Sequence, residues 1–214
     1  MKKIVAGFVA IGVLLFLPAG TFHYWNACLF VAVLFVPMIF LGIVMLFKSP
    51  RLLEKRLDAK EKVKEQKWVV VLSGIMFIAA FVVAGLNFRF SWHSLPDYVV
   101  WIGASVFLLS YLIYAEVMRE NAFLSRTIEI QESQKVIDTG LYGIVRHPMY
   151  SATLIMFLSI PLILGSIISF AIMLAYIPII AVRMNNEEKV LEDGLEGYKE
   201  YKQKVRYKVI PFIW

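Results

Sequence analysis

The chain has 214 residues, of which 60% are hydrophobic and only 18% are charged. Soluble domains are typically about 45–50% apolar and about 25% charged, and the excess here lies in long runs, which excludes an ordinary soluble core and predicts membrane spans. The net charge of +6 comes from lysines and arginines that flank these runs, so it gives no reason to expect a nucleic acid partner.

Apolar runs follow one another along the chain, and the last is long enough for two helices. They are Ile4–Leu17, Ala27–Phe47, Trp68–Phe88, Tyr98–Ala115 and Ser151–Val182. One crossing needs roughly 20 residues, and Pro161 and Gly165-Ser166 interrupt the last run, which predicts a hairpin of two short helices within 148–183. The sequence therefore predicts an all-α, multi-pass transmembrane bundle of about six helical segments.

The first run, Ile4–Leu17, also has features of a signal peptide, because it is short and follows MKK. No small-x-small cleavage site comes after it, and a second run begins soon afterwards. We therefore expect a helix that stays in the protein.

Lysines and arginines are distributed unevenly around these runs. All 22 except Arg89 fall in 1–3, 48–67, 116–150 and 183–214, which six spans place on one side of the membrane. Because positively charged loops remain in the cytoplasm, both termini are expected there. The alternating charges of 48–67 predict an interfacial helix, which either contacts anionic lipids or simply connects two spans.

The stretch GLYGIVRHPMY stands directly before the last apolar run. A residue before proline is pushed out of the helical region, and proline suits the first helical position. A helix is therefore predicted to begin at about Pro148, with His147 as its cap and free amides that favour an anion. Tyr142 and Tyr150 can converge on this helix start, whereas Arg146 either joins them or anchors in the lipid headgroups.

Arg183 and Glu187 are four residues apart and share a helix face where the last run ends. The predicted hairpin brings them back to the side of His147. They form either a helical ion pair worth roughly 0.2–0.5 kcal/mol or part of a functional site at the membrane edge, and the sequence leaves both interpretations open.

Several kinds of site find no support in the sequence. There is no G-x-G-x-x-G turn after a strand, no P-loop and no serine nucleophile motif. The three histidines, His23, His93 and His147, are far apart, and the predicted topology puts the first two on the opposite face. A metal site is not expected.

The last part of the chain resembles the isoprenylcysteine carboxyl methyltransferase family of integral-membrane methyltransferases, which is related to the phospholipid N-methyltransferases. The resemblance covers roughly Asn121 to Trp214. It rests on Q-x-x-Q-K-V-I-x-x-G-x-Y (Gln131 to Tyr142), R-H-P-M-Y (Arg146 to Tyr150), R-x-x-x-E-E (Arg183 to Glu188), G-Y-x-x-Y (Gly197 to Tyr201) and I-P-F (Ile210 to Phe212).

This resemblance implies an S-adenosylmethionine site, with S-adenosylhomocysteine as product, within a cofactor-binding and catalytic region 116–214. The preceding region, 1–115, would supply transmembrane helices and the helix 48–67. Arg183 and Glu187 would be catalytic, with Arg183 facing the acceptor. The implied cofactor-binding residues are Gln131, Gln134, Lys135, Val136, Ile137, Tyr142, His147, Pro148, Met149, Tyr150 and Glu187.

The implied reaction is methyl transfer to a lipophilic acceptor, with the carboxylate of an isoprenylcysteine-like substrate as the first choice. A carboxylate is already ionised at neutral pH, whereas an amine or thiol must lose a proton, for which Glu187 or Glu188 is a candidate base. Phospholipid N-methylation and thiol methylation therefore remain alternatives. A short chain with an MKK start favours a bacterial inner membrane, with the active site in the cytoplasm.

A transporter or sensor without enzymatic activity is the remaining alternative. Transporters usually place ionisable residues near the middle of the bilayer. Here the apolar runs are almost free of charge and the polar cluster lies at one rim, which favours an enzyme that works on membrane lipids or other lipophilic molecules. Oligomeric state is left open.

Overall fold

The computed structural model describes residues 2–48, 50, 64–125 and 130–214. In these ranges the chain is helical, and the only bridge outside a helix joins Ser94 to Ser166, which confirms the all-α class. The helices are α1 (Lys2–Ala19), α2 (Trp25–Lys48), α3 (Lys64–Phe90), α4 (Asp97–Glu120), α5 (Pro148–Ile163), α6 (Ile167–Met173), α7 (Tyr176–Gly194) and α8 (Tyr198–Lys204), with a 3₁₀ turn at Gly140–Gly143. Most of the predicted interfacial helix 48–67 lies outside the described residues.

Among the described residues, four helical stretches are long and apolar enough to cross a membrane, which supports an integral membrane protein. They are Trp25–Lys48, Lys67–Phe90, Asp97–Glu120 and Ile167–Gly194. Two further apolar stretches, Ile4–Ala19 and Pro148–Ile163, are helical but shorter than a usual crossing. All six predicted segments are therefore helices, although only four have the usual length of a span.

The long last run folds as a hairpin, and its break falls at Gly165, one of the two interruptions that the sequence indicated. Pro161 lies inside α5. Gly165 has a φ of +70°, and the Ser166 amide donates to the Pro161 carbonyl at 3.0 Å, which is the pattern of a Schellman helix end. The Ser166 hydroxyl then caps α6 by accepting from the Ser169 amide. The second arm is also longer than predicted, because α7 continues past 183 to Gly194.

Contacts divide the chain into two compact units. The first comprises Met1–Phe40, Leu72–Tyr111 and Leu154–Ile177, and the second comprises Leu41–Val71, Leu112–Thr153 and Pro178–Trp214. The division of the sequence into 1–115 and 116–214 by role stays a prediction.

The first unit has a core of aromatic and small side chains. The Phe30 ring contacts the rings of Phe81 and Phe107, with centroids 5.7 and 6.0 Å apart. At the end of α5, the Tyr24 hydroxyl donates to the Leu164 carbonyl at 2.6 Å, and the Asn26 amide donates to the Ile163 carbonyl at 3.2 Å. These bonds satisfy carbonyls that a helix end would otherwise leave unpaired.

Close contact between α1 and α3 depends on Gly85. A Cβ added at Gly85 would stand 2.6 Å from the Leu15 carbonyl oxygen and 3.1 Å from the Ala19 nitrogen, both backbone atoms that cannot move away cheaply. Gly74, on the same helix, has nothing within 4 Å of its added Cβ.

We predict that Gly85→Ala destabilises the protein by about 1–3 kcal/mol through overpacking. Gly74→Ala should leave stability unchanged or raise it slightly, because alanine favours helix over glycine. Thermal denaturation in detergent, followed by size-exclusion chromatography, measures both. Equal melting curves for the two variants would contradict this account of the helix contact.

Candidate active site

The 3₁₀ turn that precedes α5 is held by an acidic side chain at the end of α4. The Glu120 carboxylate accepts from the Leu141 amide at 3.0 Å. Gly140 has a φ of +54°, and any Cβ there would overlap the Glu120 carboxylate. Glycine is favoured at this position by the positive φ, and a larger residue would in addition displace the Glu120 carboxylate from the Leu141 amide.

The start of α5 is held by a segment near the C-terminus, residues 205–209, which we call the C-terminal strap. The Arg146 and His147 amides donate to the carbonyls of Tyr207 and Lys208 at 2.9 and 2.8 Å. The Ser151 hydroxyl donates to the Val209 carbonyl at 2.6 Å. α5 begins at Pro148 as predicted, and the strap fixes the residues on either side of that start.

Glu188 is the most heavily paired carboxylate among the described residues, and only 3% of it is exposed. Arg146 Nε donates to Glu188 Oε1 at 2.8 Å, and His147 Nε2 lies 3.1 Å from the same oxygen. The other oxygen, Oε2, lies 3.0 Å from Lys208 Nζ and 3.8 Å from Lys202 Nζ. This carboxylate therefore joins α7 to the start of α5, to α8 and to the C-terminal strap.

Arg146 completes this arrangement from the other side. Its guanidinium Nη1 donates to the carbonyls of Val205 and Arg206, both at 2.7 Å, and only 6% of the residue is exposed. The alternative in which Arg146 anchors in lipid headgroups is wrong. Burial of this charge is tolerable because a carboxylate and two carbonyls compensate for the lost water.

Glu187, the neighbour of Glu188, has a different environment. It is half-buried, and Oε2 accepts from the Tyr150 hydroxyl at 2.5 Å. Arg183 Nε in turn donates to that hydroxyl oxygen at 3.0 Å. Within the described residues, Glu187 Oε1 accepts no hydrogen bond and neither oxygen has a cation within 4 Å. The structure thus brings together Arg183, Tyr150 and Glu187 through the Tyr150 hydroxyl.

His147 lies next to both Tyr150 and Glu188. Its ring lies 5.5 Å from the Tyr150 ring, centroid to centroid, while its Nε2 faces Glu188. Successive residues on a helix point about 100° apart, so Glu187 and Glu188 leave α7 in different directions and reach different partners on α5.

The remaining predicted residues lie in the segment that leads to the 3₁₀ turn. The Gln131 amide donates to Gln134 Oε1 at 2.9 Å, and the Gln131 side chain donates to the Phe123 carbonyl. Both glutamines therefore hold the local turn. Of the other predicted residues, Lys135 is exposed, whereas Val136, Ile137 and Met149 are half-buried and Pro148 is buried.

Tyr142 is buried at the centre of the second unit. Its hydroxyl accepts from the Asn121 side-chain amide at 3.0 Å, and its carbonyl accepts from the Tyr201 hydroxyl at 2.7 Å. Val136 packs against Tyr201 and its neighbour Tyr198. The tyrosine motif G-Y-x-x-Y is thus part of the support of the predicted site.

Sequence reasoning missed the role of Glu188, which it considered only as a candidate base, and of its partners Arg146 and Lys208. A signal for them existed. A buried glutamate next to a second one requires cations, and Arg146 and the basic residues after Gly197 were the available ones. In the part of the chain that the structure describes, no group of three His, Cys, Asp or Glu side chains could hold a metal ion.

Comparison with known proteins relates part of the chain to a family of enzymes. Residues 98–196 match the family model of phospholipid methyltransferases. The chain is also 29% identical over 91 residues to the Delta(14)-sterol reductase TM7SF2 of Mus musculus, a match that covers 41% of this chain and 22% of that protein. The chain thus spans about a fifth of the length of this relative. The family match supports an integral-membrane methyltransferase, and the use of S-adenosylmethionine is implied by that family.

The two glutamates should respond differently to loss of charge. We predict that Glu188→Gln destabilises the protein by about 3–5 kcal/mol, because it leaves the buried Arg146 without an anion. Such a loss lowers the melting temperature by about 10 °C in a chain of this size. The matched variant Glu187→Gln should melt within about 2 °C of the wild type, because no described cation depends on it. A larger loss for Glu187→Gln than for Glu188→Gln would contradict the assignment.

Proposed function

We propose that this protein transfers a methyl group from S-adenosylmethionine to a lipophilic acceptor in the membrane. The observation that carries the proposal is the unfilled charge of Glu187. Among the described residues, the only hydrogen bond to this half-buried carboxylate comes from a neutral hydroxyl, which leaves its charge available to a cationic ligand. The family match over residues 98–196 favours the same cofactor.

The residues present fit this cofactor. Glu187 Oε1, which accepts no hydrogen bond from the described residues, would accept from the ammonium group of the methionine part. The rings of Tyr150 and Tyr142 offer faces that attract a sulfonium cation. His147 and the helix start after it suit the carboxylate. Glu188 is already neutralised by its own partners, so we propose that Glu187 alone makes the charged contact.

The cofactor when bound supplies an electrophilic methyl group, whose bond to sulfur breaks with its electron pair left on sulfur as the bond to the acceptor forms. The protein aligns the reactants, and alignment of this kind supplies much of the rate enhancement of such reactions. Arg183 Nε donates a hydrogen bond to the Tyr150 hydroxyl oxygen, and that hydroxyl donates to Glu187. We propose that the Arg183 guanidinium orients the acceptor beside the cofactor.

The first candidate acceptor is a carboxylate, such as that of an isoprenylcysteine-like molecule. It is ionised at neutral pH and forms paired hydrogen bonds with a guanidinium. No base is then required, and Arg183 together with Glu187 forms the catalytic pair. The exposed apolar side chains of the long helices, such as Phe40 and Phe47, would let a lipophilic acceptor arrive from the membrane.

A second candidate acceptor is the amine of a phospholipid. The observation that favours it is the family model itself, which describes phospholipid methyltransferases. An ammonium group must lose a proton before it accepts a methyl group. Glu187 is the candidate base, because its Oε1 accepts no hydrogen bond from the described residues. Thiol methylation would need the same base. A transporter, a sensor or a sterol reductase would require neither a methyl donor nor the Glu187 contact.

We predict that Glu187→Ala and His147→Ala weaken binding of S-adenosylhomocysteine by tenfold or more, because each removes a direct contact to the cofactor. Arg183→Ala should retain cofactor affinity within about threefold and lose most turnover. Calorimetry with purified protein in detergent measures binding, and transfer of labelled methyl into carboxylates, phospholipids and thiols measures turnover.

The control is Lys189→Ala on the same helix, since Lys189 is exposed and should change neither quantity. Equal, small effects of Glu187, His147 and Arg183 replacements would argue against this site. No binding by a folded wild-type protein would favour a transporter or sensor.

Orientation is open to a separate test. We propose that the site and both termini face the cytoplasm of a bacterial cell, since all lysines and arginines except Arg89 lie in the segments assigned to that side. A C-terminal fusion to a reporter that is active only in the cytoplasm should be active, and its periplasmic counterpart inactive. The reverse result would refute the six-span arrangement.

A further inference from the structure

Two tyrosines of α8, Tyr198 and Tyr201, differ in whether their hydroxyl groups are hydrogen-bonded. Both are buried, with 4% and 6% exposed. The Tyr201 hydroxyl donates to the Tyr142 carbonyl at 2.7 Å. The Tyr198 hydroxyl is buried and has no hydrogen-bond partner among the described residues.

A buried hydroxyl without a partner is unfavourable. Proteins pair nearly all of their buried polar atoms, and each exception calls for an explanation. Phenylalanine would fill the same space without the polar atom, so the hydroxyl of Tyr198 lowers the stability of the ligand-free protein. A group that costs stability in this way is typical of a binding site that becomes complete only with its ligand.

The surroundings of Tyr198 connect it to the proposed cofactor site. Burial, and after it the negative charges of Glu188 and Glu187, raise the pKa of Tyr198 well above its ordinary value, so the hydroxyl keeps its proton and can donate it. Val136, which the resemblance assigns to the cofactor, packs on the Tyr198–Tyr201 cluster. Tyr198 lies beyond the matched residues 98–196.

From these observations we infer that Tyr198 is a further ligand-binding residue, whose hydroxyl donates a hydrogen bond to an acceptor oxygen or nitrogen of the bound S-adenosyl compound. The inference rests on the proposed function and adds to it a contact outside the glutamate pair. Of the two carboxylates whose charges act on Tyr198, Glu187 offers an acceptor for the cationic end of such a ligand. Tyr198 supplies what a carboxylate cannot, a neutral donor.

The test compares Tyr198→Phe with Tyr201→Phe in the full-length protein in detergent. Ligand-free Tyr198→Phe should melt at the same temperature as the wild type or higher, and it should bind S-adenosylhomocysteine about tenfold more weakly. Ligand-free Tyr201→Phe should melt at a lower temperature, because it leaves the Tyr142 carbonyl without its donor. Differential scanning fluorimetry and calorimetry measure the two quantities.

The outcomes separate this inference from the proposed function. If the wild type binds S-adenosylhomocysteine and Tyr198→Phe binds it equally well, the role of Tyr198 is overturned and the proposed function is not. A water molecule is then the partner of the Tyr198 hydroxyl. A clearly lower melting temperature of ligand-free Tyr198→Phe also overturns it. Failure of the folded wild type to bind S-adenosylhomocysteine overturns the proposed function together with this contact.

Discussion

The second unit of the structure depends on one buried carboxylate, that of Glu188. It receives Arg146 and His147 from the segment that begins α5, Lys202 from α8 and Lys208 from the C-terminal strap. A charge in such a place is stable only when every partner is present. The partners of Glu188 therefore hold the helix start, the strap and α8 in one arrangement. The rigidity of these segments follows from the need to neutralise this one side chain.

That arrangement underlies the ligand contact that we propose for the adjacent Glu187. The adjacent Glu188 binds the basic side chains. Because successive residues of a helix point in different directions, Glu187 faces Tyr150 and Arg183 instead. Two identical side chains next to each other thus have different partners: Glu188 binds four basic side chains, and Glu187 accepts from a neutral hydroxyl. A carboxylate held in this way is the kind of preorganised contact that the proposed binding of a cationic cofactor requires.

Much of the fold could be read from the sequence, because long apolar runs have few structural solutions. The helix start at Pro148 followed from proline chemistry, and the return of Arg183 and Glu187 to the side of His147 followed from the hairpin. Of the two interruptions that the sequence indicated, Gly165 ends the helix while Pro161 stays within it, because a glycine with positive φ ends a helix and a proline near the end of an apolar helix need not. The role of Glu188 was hidden because its partners lie far along the chain, and sequence spacing says nothing about which of two adjacent glutamates meets the strap.

We propose that Glu187 makes the charged contact to the cofactor. The most direct test is a thermodynamic cycle that removes the ammonium group from the ligand and the charge from Glu187. S-adenosylhomocysteine and its deaminated analogue, which lacks only the ammonium group, would be titrated into wild-type protein and into Glu187→Gln. The account predicts that the wild type prefers the amino compound by about tenfold and that the variant binds both about equally, because the pairwise energy disappears when either partner is removed. The same preference in both proteins would show that the ammonium group lies elsewhere, and would contradict the division of roles between Glu187 and Glu188.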